Sequence, residues 1–157
     1  MIFNLSWHRA AILVGSLFAV ASLSNLQTLQ AKEAASVQFF PGKASATPFS
    51  PAVRVGRELY LSGQLGLLPG TQTLAQGGVQ AETRQAMRNI QAQLASSGYS
   101  MKDLVKCTVF LADMSDFPAF NTEYLSFLKQ PYPVRSAVGV RSLAFNGRVE
   151  IECMAAR

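Results

Sequence analysis

A chain of 157 residues has the length of a single domain, and its 15% charged side chains are fewer than a typical soluble domain carries. The formal charge is +5, but the basic residues are dispersed along the chain. Because phosphate backbones are bound by basic runs or stripes, this pattern gives no support for nucleic-acid binding.

The shortage of charge is concentrated near the N-terminus. The segment from Ala10 to Leu23 is apolar apart from two serines. It is shorter than the roughly 20 residues of a transmembrane helix, so residues 1–31 are predicted to be a signal peptide cleaved after Ala21 or Ala31. An uncleaved membrane anchor is the alternative. We expect an exported domain, periplasmic or secreted, without membrane contact once the signal is removed.

The remaining chain alternates between short β-rich and longer amphipathic segments. Residues 32–45 are predicted to form a linker and residues 46–157 a single domain. The predicted elements, in order, are strands at 53–55 and 59–63, a helix at 79–97, a strand at 104–111, a helix capped by Asp113 or Ser115 and ended by Pro131, and strands at 136–140 and 149–155.

Apolar spacing indicates which face of each helix is buried. The first helix repeats apolar or small side chains every three or four residues, and the second does so with aromatic ones. These inward positions are Val79, Thr83, Met87, Ile90 and Leu94, then Phe117, Phe120, Tyr124, Phe127 and Leu128. Both helices therefore need one apolar surface to pack against.

The order of elements predicts an α/β (α+β) domain of two layers, one sheet with both helices on one face. In the last strand, Val149, Ile151 and Cys153 alternate with Glu150 and Glu152, which indicates one apolar and one mixed face. No third helix is predicted to cover the mixed face. We therefore expect a partner subunit to cover it.

Two cysteines and one histidine limit the chemistry available. Cys107 and Cys153 both lie in β-like segments, where buried free thiols are common, so we expect them to be unpaired, although pairing is possible in an oxidising compartment. His8 is the only histidine and lies in the predicted signal. No metal site is expected, since these residues are too few for a four-ligand zinc set.

An arginine and two carboxylates form the candidate functional constellation. Arg135 lies at the start of one predicted strand, and the next strand is expected to bring Glu150 and Glu152 beside it. Taken alone, such a group is more often a solvated ion pair. The alternative is a grip for an anionic substrate with a carboxylate to handle protons.

A set of short motifs extends over nearly all of the predicted domain in a fixed order. They are Leu-Ser-Gly-Gln at 61–64, Gly-Gly-Val at 77–79, Thr-Arg-Gln-Ala at 83–86, residues 105–114, Phe117, Asn121, Tyr124, Pro-Val-Arg-Ser at 133–136 and Val-Glu-Ile-Glu at 149–152. With them, residues 46–155 resemble the RidA/YjgF family of reactive-intermediate deaminases. The resemblance implies a chorismate-mutase-like fold, a homotrimer and active sites between subunits.

The resemblance also implies an activity. Such proteins hydrolyse 2-imino acids, or their enamine tautomers, to 2-oxo acids and ammonia without a cofactor. Arg135 matches the arginine that binds the substrate carboxylate, and Glu150 matches the carboxylate that orients water. Glu152 is assigned a structural role at the subunit boundary.

Five further positions match substrate-binding positions of the family: Phe49, Ser62, Gly63, Asn121 and Ala137. A Ser62 hydroxyl bonded to the backbone is an equally good interpretation. For Asn121, a role in helix packing is favoured over direct substrate contact.

Three positions depart from the family pattern. Phe49 stands where a tyrosine is common, so a phenolic hydroxyl is missing. Ala137 occupies a position that often holds cysteine, which excludes thiol chemistry there, and Gly139 replaces a frequent acidic residue. We therefore expect substrate preference to differ.

Two alternative functions stay open. One is a non-catalytic trimeric module that binds small carboxylates or a protein, which export favours because the enzymes that generate imino acids are mostly cytoplasmic. The other is the ribonuclease activity reported for some relatives of the family, for which this chain offers no catalytic histidine and only scattered basic residues.

Overall fold

The computed structural model describes residues 35–41 and 48–157, so the predicted signal peptide lies outside the described residues. The strands are β1 (Val37–Phe40), β2 (Ala52–Val55), β3 (Glu58–Leu61), β4 (Gln64–Leu65), β5 (Leu104–Leu111), β6 (Val134–Gly139) and β7 (Val149–Ala156). The helices are α1 (Gly78–Ser96) and α2 (Phe117–Ser126), and neither they nor any other helix of the described part is long and apolar enough to cross a membrane.

The strands form one mixed sheet in the order β1-β2-β3-β7-β5-β6, with β4 paired to β7. Strands β5 and β6 are parallel, and all other pairs are antiparallel. The α+β class with a mixed sheet and two helices is therefore as predicted. Strand β6 forms one edge of the sheet and β1 the other.

Strand β1 lies inside the segment that was predicted to be a linker. Residues 37–40 pair with β2, from Val37 opposite Val55 to Phe40 opposite Ala52. Three of its four side chains are exposed, so the strand has no buried face to produce an alternating pattern in the sequence. Its pairing depends on the free edge of β2, which a local pattern does not reveal.

The core lies between the helices and one face of the sheet. All five predicted positions of α1 are buried, and Phe120 and Tyr124 are buried on α2. Phe117, Phe127 and Leu128 pack at the border of this core. The predicted inward faces are thus confirmed. The apolar spacing that defines them is a local property of each helix and does not depend on which surface the helix packs against.

A side-chain cap holds the 3₁₀ turn that leads from β5 into α2. The backbone N–H of Ser115 donates to Asp113 Oδ1 at 2.8 Å, and this hydrogen bond holds the pKa of Asp113 below its ordinary value. A 3₁₀ turn (Met114–Asp116) follows, and Pro118 lies in the first turn of the helix. The predicted capping role of Asp113 is therefore realised one turn earlier, on the 3₁₀ turn.

Cys107 and Cys153 form a disulfide between β5 and β7, so the expectation of unpaired thiols was wrong. The two residues are directly opposite in the antiparallel register, with Cα atoms 4.1 Å apart. Side chains of opposite residues lie on the same face of a sheet, here the buried face under the helices. The sequence separation of 46 conceals this proximity, since it depends on strand order.

Removing the disulfide is expected to destabilise the domain. We expect Cys107→Ala with Cys153→Ala to lower the free energy of unfolding by about 2–4 kcal/mol, because the cross-link restricts a long loop in the unfolded chain. Urea denaturation of both proteins at equal concentration measures the difference. An unchanged midpoint and slope in the double variant would show that the thiols do not pair in solution.

Candidate active site

Arg135 is held on the helix side of edge strand β6 by side chains of α2. Its Nη1 donates to Asn121 Oδ1 at 2.8 Å. Its Cζ lies 5.5 Å from the ring centroid of Phe117, 5.7 Å from that of Phe120 and 5.0 Å from that of Tyr124. A guanidinium within about 6 Å of aromatic faces is attracted by their electron density.

The spacing of these partners follows from helix geometry. Phe117, Phe120, Asn121 and Tyr124 occur at intervals of three and four residues, which places them on one helical face opposite β6. Within the described residues only one side-chain hydrogen bond is made by the guanidinium, which has five N–H donors. The remaining donors suit a planar carboxylate, which arginine binds with two parallel hydrogen bonds.

Tyr124 was predicted only as a core residue, but its ring also lies next to the Arg135 guanidinium. Burial raises the pKa of its phenol, and the positive charge of Arg135 acts in the opposite direction. Its hydroxyl is buried and has no hydrogen-bond partner among the described residues. We call Arg135, Phe117, Phe120, Asn121 and Tyr124 the arginine cluster. The repeated aromatic residues around Asn121 were a sequence signal for this cluster, but such a repeat is equally typical of a helix that packs in a core.

Glu150 occupies the other face of the sheet, on β7. Its carboxylate lies against Gly63, where an added Cβ would overlap Glu150 Oε1. Partial burial raises the pKa of Glu150, and the like charge of Glu152, two residues along the same face, raises it further. A carboxylate with a raised pKa is suited to exchange protons with a reacting group.

Ser62 and Phe49 adjoin the Gly63 turn. The Ser62 hydroxyl donates to the backbone oxygen of Ser50 at 2.7 Å. Of the two interpretations of Ser62, the structure therefore shows the hydroxyl that is bonded to the backbone. This bond ties the Phe49–Ser50 segment to the end of β3. The Phe49 side chain is 59% exposed. Ser62, Gly63 and Glu150 therefore form a second group, apart from the arginine cluster, with the backbone of the Phe49–Ser50 segment beside it.

Within one protomer, Arg135 and Glu150 do not lie beside each other, which corrects the expectation from the sequence. Strand β5 lies between β6 and β7, and Arg135 is aligned with Cys107 and through it with Cys153. Arg135 thus shares the buried face of the sheet with the cysteines. Glu150 alternates with buried Ile151 and so points to the opposite face.

Two departures from the family pattern have structural consequences. Ala137 is aligned with buried Val109 and packs half-buried against the core, on the same face as Arg135. At Gly139 an added Cβ would come within 2.9 Å of Met114 Cγ. An acidic side chain at 139 would therefore require Met114 to move.

We expect Gly63→Ala to separate activity from stability. The three atoms nearest to the new methyl group all belong to the Glu150 side chain, which can rotate away, so the free energy of unfolding should change by less than about 1 kcal/mol. The displaced carboxylate should lower kcat by about 10²-fold or more. Steady-state kinetics and urea denaturation measure both effects, and full activity in this variant would contradict the role of the Gly63 turn.

No cluster of three or more His, Cys, Asp or Glu side chains suited to a metal occurs in the described part of the chain. The candidate site comprises Arg135, which aromatic side chains surround, and the partly buried carboxylate of Glu150. The two residues lie on opposite faces of one mixed sheet. An arginine with unused N–H donors is suited to bind an anion, and a carboxylate with a raised pKa is suited to exchange protons. The family model described as Endoribonuclease L-PSP matches residues 42–157, and the chain belongs to this family, which is also called RidA/YjgF.

Relatives and solved structures agree with this membership. The chain is 44% identical to a 2-iminobutanoate/2-iminopropanoate deaminase of Dermatophagoides farinae over 105 residues, which is 67% of this chain and 82% of that protein. It is 36% identical over 135 residues to the chloroplastic Reactive Intermediate Deaminase A of Arabidopsis thaliana, covering 86% of this chain and 71% of that one. The crystal structure of RidA from Psychrobacter superposes with a TM-score of 0.69 at 38% identity, covering 80% of this chain and all of that one.

Proposed function

We propose that this protein hydrolyses 2-imino acids, or their enamine tautomers, to 2-oxo acids and ammonia. The observation that carries the proposal is the caged Arg135, whose unused N–H groups match a carboxylate next to the reacting carbon. Relatives named as deaminases of 2-iminobutanoate and 2-iminopropanoate support this class of substrate. The chain is accordingly a deaminase-like hydrolase.

The reaction requires water to add to the imine carbon. Arg135 holds the carboxylate, and Glu150 accepts a proton from water as its oxygen bonds to the carbon of the protonated imine, whose C=N electron pair moves to nitrogen and gives a neutral carbinolamine. Glu150 then returns its proton to the amino nitrogen, the carbon–nitrogen bond breaks with its electron pair on nitrogen, and ammonia leaves. The hydroxyl proton passes to water as the carbonyl forms. The raised pKa of Glu150 favours both the acceptance and the return of the proton.

A complete site then requires two copies of the chain. The arginine and carboxylate groups face opposite sides of one sheet, so a substrate that touches both must lie between protomers. The sheet face that carries Glu150 also exposes apolar side chains, with Phe39 64%, Val134 67% and Val138 43% exposed. Such a surface favours self-association, and we propose a homotrimer in which each site combines Arg135 of one protomer with Glu150 of the next.

Mixing two inactive variants tests the shared site. Arg135→Ala and Glu150→Gln, refolded together in equal amounts, should recover about a quarter of wild-type activity, because a mixed ring of three contains one intact pairing. Each variant refolded alone is the control, and a sizing column reports the assembly. If each protomer held a whole site, the mixture would be no more active than its components.

Release of ammonia from freshly generated 2-iminopropanoate by the purified protein tests the activity itself. We expect a rate above the spontaneous hydrolysis that is proportional to protein concentration. Binding of the 2-oxo acid product without any acceleration would instead favour the non-catalytic binding module. The ribonuclease function in the family description has weaker support, since His8 is the only histidine of the chain.

We also propose that the protein works in an oxidising compartment, after export. The apolar N-terminal segment and the buried Cys107–Cys153 disulfide support this independently, because structural disulfides are typical of exported proteins. N-terminal sequencing of protein recovered from the host and a thiol titration of it test both points. An intact N-terminus together with two free thiols would overturn the proposal.

A further inference from the structure

A cavity lies where the chain leaves α2 and approaches β6. Its volume is about 300 Å³, which lies at the small end of the range for ligand pockets. Met101, Leu104, Phe127, Leu128 and Pro133 supply its apolar walls. None of these residues belongs to the arginine cluster or to the Glu150 group.

Two lysines border this apolar cavity. Lys102 and Lys129 both line it, together with Gln91 and Gln130. Neither lysine forms an ion pair in the part of the chain that the structure describes. The nearest acidic neighbour in sequence, Asp103, already accepts hydrogen bonds from the backbone and hydroxyl of Ser100 at 2.8 Å each.

The two lysines differ in what else explains them. Lys129 follows the end of α2, where a cation is favoured by the partial negative charge of a helix C-terminus. Lys102 lies in the 3₁₀ turn (Met101–Asp103), which has only three residues and so too small a dipole to account for a cation. Its charge beside apolar side chains is suited to an anion with an apolar body.

We propose that this cavity binds a small organic carboxylate with an aromatic or branched apolar body, at a site separate from Arg135. The apolar walls take the body of the ligand, and Lys102 and Lys129 take its carboxylate. The cavity and the arginine cluster are close in sequence. Pro133 lies two residues before Arg135, and Phe127 lies three residues after Tyr124. A ligand here is therefore positioned to alter how firmly Arg135 is held.

Phenylacetate is a suitable probe, and benzyl alcohol is its uncharged counterpart. We expect calorimetric titration of the full protein to detect phenylacetate, and to show benzyl alcohol binding at least about 10-fold more weakly, because the alcohol lacks the charge-assisted hydrogen bonds. The combined variant Lys102→Met, Lys129→Met keeps the apolar stems and should weaken phenylacetate binding by about 10-fold or more. Arg141→Met removes an exposed cation beyond the far end of β6 and should leave binding unchanged.

Methyl-labelled methionine distinguishes this cavity from the arginine site by NMR. Met101 lines the cavity, whereas Met114 lies against Gly139 on the strand that carries Arg135. Phenylacetate should shift the Met101 signal, and Arg135→Ala should preserve that shift whether or not the protein is a deaminase. The proposal is overturned if Met101 does not respond at saturating probe, if the lysine variant binds as the wild type does, or if Arg135→Ala abolishes binding.

Discussion

Arg135→Ala is expected to reduce kcat/KM for 2-iminopropanoate hydrolysis by about 10²–10⁴-fold. The variant loses two charge-assisted hydrogen bonds to the substrate carboxylate, each contributing about 1.5–3 kcal/mol. Arg135→Lys keeps the charge but not the two parallel donors, so it should recover only part of the rate. Ammonia release under single-substrate conditions measures each value.

Two matched variants establish that the effect belongs to the site. Arg141→Ala removes an exposed arginine just beyond the same strand and should retain full activity. Asn121→Ala should reduce kcat/KM by about 10-fold, because Asn121 orients the guanidinium without being required to touch the substrate. Equal rates for wild type and Arg135→Ala would refute the proposed function.

Glu150→Gln is expected to lower kcat by about 10²–10⁴-fold, the usual contribution of a positioned general base. The same change should raise the stability of the folded protein at neutral pH. Because the folded state raises the pKa of Glu150, it binds this proton more tightly than the unfolded chain does. That stabilisation is complete below the pKa that Glu150 has in the unfolded chain, and it is lost as the pH rises through the pKa that Glu150 has in the folded protein. Glutamine restores it at neutral pH because glutamine carries no charge. Urea denaturation at neutral pH measures the gain.

The pH dependence of the wild type follows from the same group. Activity should rise with pH as Glu150 loses its proton, with an acid limb above the ordinary pKa of a glutamate. Glu152→Gln is the control, since removal of the like charge should move that limb to lower pH while activity is retained. A limb that does not move in Glu152→Gln, with the assembly intact on a sizing column, would contradict this assignment.

Local order along the chain determined most of the elements. Strand β5 has the bounds predicted for it, and the buried positions of α1 follow the predicted spacing. Both depend on interactions between residues a few positions apart, so the local spacing of residue types is enough to predict them. The family membership also follows from ordered motifs, and these motifs made Arg135 and Glu150 the candidate site residues.

Strand order, by contrast, was decided only by the tertiary structure. It places β5 between β6 and β7, joins Cys107 to Cys153, and assigns Arg135 and Glu150 to opposite faces of the sheet. It also pairs β1 with β2, although β1 has no alternating pattern. These features depend on which distant segments meet, and that is set by the packing of the whole sheet under two helices rather than by any one segment. The sequence by itself thus named Arg135 and Glu150 as candidate residues, and the fold placed them on opposite faces of the sheet.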